Sequence, residues 1–529
     1  MNAPLPMPPC RSFATVGGIV RAAFLSLILL LLNGCATYSD SFSAIERDLS
    51  TQQFDAALQR IEAQAGQKNQ RVLYHLNKGM VLRMQRDFVG SNLALEAAKQ
   101  EIEQLYASSV SENALSFIVN DATTRYAGDD YEQVLLHLYM ALNFLELGQR
   151  DAARVEALQI DLKLRELGEK SEISRMSEHA FSRYLTALIY EDDGEWSDAM
   201  IAYRKAYEEY KEISSNKSGN AETMVAAPDM IPDVLKRDLL RTSHKLGLRD
   251  EEMKYQKEFG ISPSKNATPE KKSAPEKKGL AEPGELVFIL HNGLAPIKRE
   301  QAATLFDPIS GQIVRIALPY YESRFNPLVA ARISVMPQAV PNAEPSNTSP
   351  GNALNENSNE TIAAVQTELM ENVDGVAKQA LAVRMAAITA RSLARAVAKV
   401  KMQQAVTKSA ERGSNNEALP NLLGGFAMQI AAIATERADT RSWLTLPANM
   451  QLARLPLPPG KYQIRVEFLA AGGQVLDSKI YPEIMIHPTR KTYLTEHWVS
   501  GQSLTNSSQQ TLRPAPAHLT IEQSLHIRR

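Results

Sequence analysis

The chain has 529 residues, enough for about three or four domains at 100–200 residues each, so a single compact core is not expected. Lys and Arg (58) balance Asp and Glu (60), and 44% of the residues are hydrophobic. This is the composition of a soluble globular protein and lacks the basic excess on which nucleic-acid binding depends. Two cysteines, Cys10 and Cys35, are too few for a disulfide framework or a Cys-rich metal site and too far apart for a redox pair.

Both cysteines belong to the N-terminal segment. Arg11 and Arg21 make a basic start without acidic residues, and Ala22–Leu32 is an 11-residue apolar run interrupted only by Ser26. The run suits the hydrophobic region of a signal peptide and is short for a membrane span. It ends in Leu32-Asn33-Gly34-Cys35, which resembles the lipobox of bacterial lipoproteins. The resemblance implies cleavage between Gly34 and Cys35, a diacylglycerol on the Cys35 sulfur and acylation of the new amino group. Each buried CH₂ of such chains contributes about 0.8 kcal/mol, so several chains anchor stably. Ala36 rather than Asp follows the cysteine, which among such lipoproteins favours the outer membrane, here on its periplasmic face. The expected mature protein starts with a lipidated tether, 35–40, and has no free thiol.

Residues 41–260 carry an internal repeat. Phe54, Ala57 and Ile61 recur 34 residues later as Phe88, Ser91 and Leu95. One copy reads Ala187, Tyr190, Gly194, Trp196, Ala199, Tyr203, Ala206. Another reads Ala141, Phe144, Gly148, Ala153, Ala157, Ile160, with Arg150 in place of the aromatic. A third reads Gly79, Leu82, Phe88, Ser91, Leu95, Ala98, with Arg86-Asp87 where a turn glycine is expected. The pattern resembles the tetratricopeptide (TPR) family, whose small residues let the two helices of a hairpin approach while large ones fill the space between hairpins. Irregular spacing between copies calls for extra helix or loop near 103–128 and 162–178, and residues 231–260 read as a last hairpin. The resemblance implies a concave groove lined by first-helix positions, here Leu76, Met80 and Arg83; Leu138, Leu142 and Glu146; Tyr184, Leu188 and Asp192. Such a groove accepts a peptide or partner helix; the alternative is packing on the protein's own inserted helices. Glu191-Asp192-Asp193 reads as a solvated helix end.

Residues 261–284, rich in Pro, Lys, Glu and Ser, read as a flexible linker. Beyond it the period changes to two. Strands are expected at 285–291, 311–318, 328–335, 461–469, 475–481 and 492–498, with Tyr462, Ile464, Val466 and Phe468 on one buried face. Residues 285–336 and 438–499 therefore form a β-rich, sandwich-like domain, with Trp443 as a core anchor. Residues 337–437 are an insertion: a Pro/Asn/Ser-rich part read as disordered, one or two Ala-rich helices from Glu360 to about Ala410, and the uncharged segment 419–435, read as a buried helix. Residues 500–529 read as a mobile tail. The fold class is multidomain α + β: an N-terminal TPR-like helical array and a C-terminal β-sandwich-like domain with a helical insertion.

Signatures of catalysis are missing: there is no His-Glu-x-x-His, Gly-x-Ser-x-Gly or Walker A sequence. The Ser-x-x-Lys matches at Ser214–Lys217 and Ser262–Lys265 fall in low-complexity stretches. His291-Asn292-Gly293 reads as a hairpin turn, and Asp439 and Arg441 as a structural ion pair. No cofactor, metal, nucleic acid or small-molecule substrate is expected. The whole plan resembles a group of proteobacterial TPR lipoproteins, through DDYEQVLLHLYMALNFLELGQRDAARVEA, GELVFILHNGLAPIKRE and ADTRSWLTLPANMQLARLPLPPG. That resemblance implies a lipid-anchored scaffold or adaptor for an envelope protein partner. The alternatives are an assembly or transport component whose helix at 419–435 meets the membrane, and an envelope enzyme with its site near His291 or Asp439.

Overall fold

A computed structural model describes residues 37–108, 124–170, 179–215, 231–261, 282–307, 312–337, 361–411 and 436–500. The signal peptide with Gly34 and Cys35, nearly all of the linker, the Pro/Asn/Ser-rich part of the insertion, the apolar segment 419–435 and the tail from 501 lie outside the described residues.

The repeats fold as helical hairpins. In order they are α1 (Ser43–Ser50) with α2 (Phe54–Glu62), α3 (Arg71–Met84) with α4 (Phe88–Ser108), α5 (Asp130–Glu146) with α6 (Arg150–Lys170), α7 (Ala180–Asp192) with α8 (Trp196–Ser215), and α9 (Asp233–Lys245) with α10 (Arg249–Glu258). All five turns close alike. Gln52, Arg86, Gly148, Gly194 and Gly247 each take a positive φ, between 57° and 80°. Each donates its N–H three residues back, and the following residue donates five back, as in Gly194 to Glu191 and Glu195 to Tyr190. This double closure satisfies the last helical carbonyls and favours glycine at the left-handed position. The missing glycine of the second hairpin is explained by Arg86 itself, whose guanidinium reaches the carbonyl of Thr495 (3.2 Å) and Glu146 (3.2 Å). Gln52 is exposed. Gln52→Gly should therefore relieve left-handed strain and raise stability by about 0.5–1 kcal/mol, read as a higher urea midpoint; an unchanged or lower midpoint would refute this reading of the turn.

Tight hairpins follow from the small residues. A Cβ at Gly79 would sit 2.7 Å from the Leu95 side chain, so only glycine allows α3 and α4 this approach. The irregular spacing comes partly from longer second helices, since α4 and α6 each have 21 residues.

The β region has strands β1 (Gly284–Asn292), β2 (Ile297–Asp307), β3 (Gln312–Glu322), β4 (Leu328–Pro337), β5 (Ala363–Gln366), β6 (Glu368–Glu371), β7 (Asn449–Leu457), β8 (Gly460–Ala470), β9 (Val475–Ile486) and β10 (Lys491–Trp498). One sheet has the order β10-β1-β7-β6, with β1 and β10 parallel; a second has β5-β4-β8-β9; β2 and β3 pair as a separate hairpin. Leu286, Phe288, Leu290, Ala453 and Leu494 of the first sheet share one apolar core with Ile333, Val335, Ile464, Val466 and Phe468 of the second. The other face of the first sheet, with Val287, Ile289, Met450, Leu452 and Tyr493, belongs to the core of the helical array. The layers are thus helices, first sheet, second sheet, and the unbroken Leu-Val-Phe-Ile-Leu run of β1 reflects burial on both faces.

Two expectations change. Residues 363–371 are strands rather than the start of a helix, because Thr367 turns the chain from the second sheet into the first, donating to Gln451 Oε1 (2.6 Å) while its N–H meets the carbonyl of Ala331 (2.9 Å). The helix, α11 (Val373–Glu411), begins only after that corner. His291-Asn292-Gly293 is not a hairpin: β1 pairs with β10 and β7, and Gly293 (φ 70°) turns the chain out of the sheet. Among the described residues no helix is long and apolar enough to cross a membrane.

Candidate functional site: the groove of the helical array

Register fixes what the first sheet shows to the helices. Glu285, Val287, Ile289 and His291 of β1 stand opposite Lys491, Tyr493, Thr495 and His497 of β10, and Val287 and Ile289 also face Arg454 and Leu452 of β7. Alternation places these residues on one face. Apolar positions occupy its middle, and one end carries Glu285, Arg454 and Lys491.

That charged end meets the last turn of α7 and the middle of α9. Arg454 contacts Asp238 (2.5 Å), Glu285 (2.6 Å) and Glu191 (3.3 Å). Lys491 meets Glu191 (2.5 Å) and Glu285 (3.3 Å), and Arg241 meets Glu191 (2.6 Å) and Asp238 (2.9 Å). Three cations therefore balance three carboxylates. Tyr203 donates to Glu191 (2.6 Å) and Tyr184 to Asp238 (2.7 Å), supplying neutral hydrogen bonds at the buried side. Burial alone would push the Arg454 guanidinium down, but Asp238, Tyr184, Glu285 and Glu191 hold it well above its ordinary value. Burial likewise opposes charge on Glu191, and Arg454, Lys491 and Arg241 keep it below the usual carboxylate range.

Both edges of the sheet are also closed by helices. On β10, the N–H of Thr495 donates to Glu146 (2.6 Å) and that of Lys491 to Asp192 (2.9 Å). Glu146 and Asp192 are the last residues of α5 and α7. Equivalent positions of successive hairpins thus cover strand amides four residues apart, about 13 Å, which would otherwise offer an open edge. On β6 the chemistry is reversed. Glu371 accepts from the N–H of Phe181 at the start of α7 (3.2 Å), and Glu368 from that of Val234 at the start of α9 (3.1 Å). Carboxylates there satisfy orphan amides and the positive helix ends.

The nine groove residues all lie in this seam. Leu76, Met80, Leu138, Leu142 and Leu188 are buried in the cluster that includes Val287, Ile289, Met450 and Leu452. Arg83 donates to Asn143 and to Thr495 Oγ1 (2.7 Å), and its guanidinium, pushed down to about 10 by burial, lies over the rings of Phe88 and Tyr139. Glu146, Tyr184 and Asp192 make the contacts given above. The groove is filled, and by the first sheet rather than by inserted helices. Glu191 and Asp192 are buried partners of that sheet, not a solvated helix end: only two are carried to the seam, and Asp193 turns aside to Arg150 (3.5 Å).

The remaining candidates are structural. Asp439 holds Arg441 bidentately (2.9 and 2.7 Å), and Arg441 also donates to the carbonyls of Asn69 (3.0 Å) and Thr124 (2.7 Å). Trp443 is fully buried against Tyr139, in the seam and not between the two sheets. Its backbone N–H donates to Glu132 (2.7 Å), a carboxyl pushed up to about 7 by burial and by Asp129, and its indole N–H donates to Thr445 (3.0 Å). His291 is buried with Nδ1 3.2 Å from the Tyr139 hydroxyl, and burial holds it well below its ordinary pKa, so it is neutral and closed off from a substrate.

No family model matches the chain, and no curated protein matches it. Among solved structures it is similar to two crystal structures of MamA. One is 13% identical over 40% of this chain and 90% of that one, with a TM-score of 0.25; the other is 14% identical over 44% and 96%, with a TM-score of 0.26. The hairpin architecture rests on the five turns and the packing described above.

Proposed function

We propose that the protein is a non-enzymatic, lipid-anchored scaffold of the bacterial envelope, held in the outer membrane through Cys35, with a C-terminal β-sandwich closing its TPR-like groove. The supporting observation is the filled groove together with what the array leaves outside. The second helices of three successive hairpins expose apolar side chains on their outer faces: Val89 and Leu93 on α4, Val155 and Leu162 on α6, Ile201 on α8. Leu93 is 70% exposed. On each helix these positions lie opposite the buried Leu95–Ala98, Ala157–Ile160 and Ala199–Tyr203 positions. An exposed apolar series of this kind marks a protein contact, so the partner surface is the convex side.

A photo-crosslinking residue at Leu93 or Leu162 should trap the same discrete protein in cells, and one at Leu142 should trap none. Leu93→Asp with Leu162→Asp should abolish the adduct with an unchanged melting temperature. Absence of any adduct from both outer positions would overturn the scaffold reading, and a Cys35→Ser protein that still fractionates with membranes would overturn the anchor.

A further inference from the structure

The second sheet ends in two edge strands, β5 and β9. An edge strand presents a row of unpaired N–H and C=O groups, and short length, proline and charge are the usual protections. β5 has four residues, whereas β9 has twelve. In the second half of β9, Pro482 and the register shift beside it interrupt the edge. No proline interrupts Val475–Ile480, and these six consecutive residues are all exposed, Val475 at 46%, Leu476 at 37% and Ile480 at 49%. Helix residues close both edges of the first sheet. Among the described residues no strand pairs with the outer side of β9, and the N–H of Ser478 turns to its own neighbour, Asp477 Oδ1 (2.7 Å).

The chain carries a segment whose pattern suits this edge. Residues 518–528 read HLTIEQSLHIR, in which Leu519, Ile521, Leu525 and Ile527 fall on one side of a period of two and only Gln523 interrupts that side. Its reach is sufficient. Trp498, at the end of β10, stacks on Phe468, which stands opposite Asp477, so the chain leaves the sandwich beside the first half of β9. The 17 residues 501–517 span up to about 55 Å when extended, against about 20 Å for Val475–Ile480. Chemistry selects the direction. Set antiparallel with Ile521 opposite Ile480, the segment brings Glu522 to Lys479 and Gln523 to Ser478 and leaves Leu525 beside Leu476, so apolar meets apolar and opposite charges meet. Lys479 also holds Glu496 of β10 (2.8 Å) and is still 45% exposed. A parallel strand with the same charge pair would set Ile521 against Ser478 and Gln523 against Ile480.

We propose that β9 is a strand-accepting edge and that residues 518–528 of the same chain occupy it, antiparallel, as a fifth strand of the second sheet. A foreign extended segment can then enter only by displacing them. The test uses the full-length protein in neutral detergent and reads amide hydrogen exchange across Val475–Ile480. Exchange there should be at least tenfold slower than in a variant carrying Ile521→Pro and Leu525→Pro, which takes two donors from the added strand, while exchange in β1 and β7 stays the same in both proteins. Oxidation of a protein carrying Asp477→Cys and Ser524→Cys should give a disulfide within one chain, and neither single variant should form it. Equal exchange across Val475–Ile480 in the parent and the double-proline variant would rule the added strand out. A disulfide that joins two chains would replace the chain's own segment by that of a second copy and so overturn the proposal. Leu93, Leu162 and Cys35 are unchanged in all these variants, so this test and the crosslinking test fail separately.

Discussion

Replacing Arg454 by methionine should lower the stability of the chain by about 3–5 kcal/mol, the usual cost of removing one partner from a buried ion cluster. The guanidinium touches Asp238, Glu285 and Glu191 at once. Without it the three carboxylates retain Lys491 and the half-exposed Arg241, two charges against three, in a site where water replaces little of the lost solvation. Because Arg454 and Lys491 belong to the sheet while Glu191 and Asp238 belong to the helices, the loss falls on the attachment between the two parts. Urea titration followed by tryptophan fluorescence should show this, since Trp443 lies in the seam and Trp196 begins α8. Adding Glu191→Gln and Asp238→Asn should recover much of the stability, because Tyr203 and Tyr184 still donate to the amide oxygens. A loss under about 1 kcal/mol in Arg454→Met, the value of an exposed pair, would show that solvent reaches the cluster and that apolar contacts alone hold the sheet in the groove.

The sequence made the hairpins legible because their cause is local. Small residues at Ala141, Ala187 and Ala199 and glycines at turns are steric requirements within one repeat. The same is true of Tyr462 to Phe468 in β8, where alternation records one wet and one buried face. Strands β7 and β2 were not legible: Asn449–Leu457 contains Pro456, and Ile297–Asp307 is largely polar, so neither shows a clean period. The nine positions from Leu76 to Asp192 follow from the repeat pattern alone, but what covers them does not. Recognition of Glu285, Arg454 and Lys491 as partners of Glu191 and Asp238 requires the register of three strands remote in sequence. Each of these residues taken singly resembles surface charge. Opposite charges buried together are a property of the docked layers, and no local pattern encodes them.

Acid should loosen the same seam. His291 and His497 lie there with ring centroids 5.9 Å apart, and His179 is buried just before α7. Burial, with Arg83 nearby, holds His291 well below its ordinary value; burial pushes His497 down to about 4 and His179 to about 3. His497 donates from Nε2 to the carbonyl of Gly293 (2.8 Å), a bond that favours the protonated ring and offsets only part of the effect of burial. A folded pKa below the unfolded value of about 6.5 means that stability is complete above that pH and is lost as the pH falls toward 4, where the unfolded chain binds protons that the folded chain refuses. His497 and His179 together cost about 4 kcal/mol between pH 7 and pH 5, and His291 adds to the fall in the same direction. Glu132 acts in the opposite sense: pushed up to about 7, it takes its proton first in the folded state and returns about 2 kcal/mol over the same interval. The net expectation is a fall of about 2 kcal/mol or more from pH 7 to pH 5, measured as the change in urea midpoint. His291→Asn with His497→Gln should remove most of that fall, since neither replacement titrates and the amide of Gln can still donate toward Gly293. Stability that is flat from pH 7 to pH 5, or a double variant as acid-sensitive as the parent, would show that the two rings are hydrated and that the seam opens for another reason.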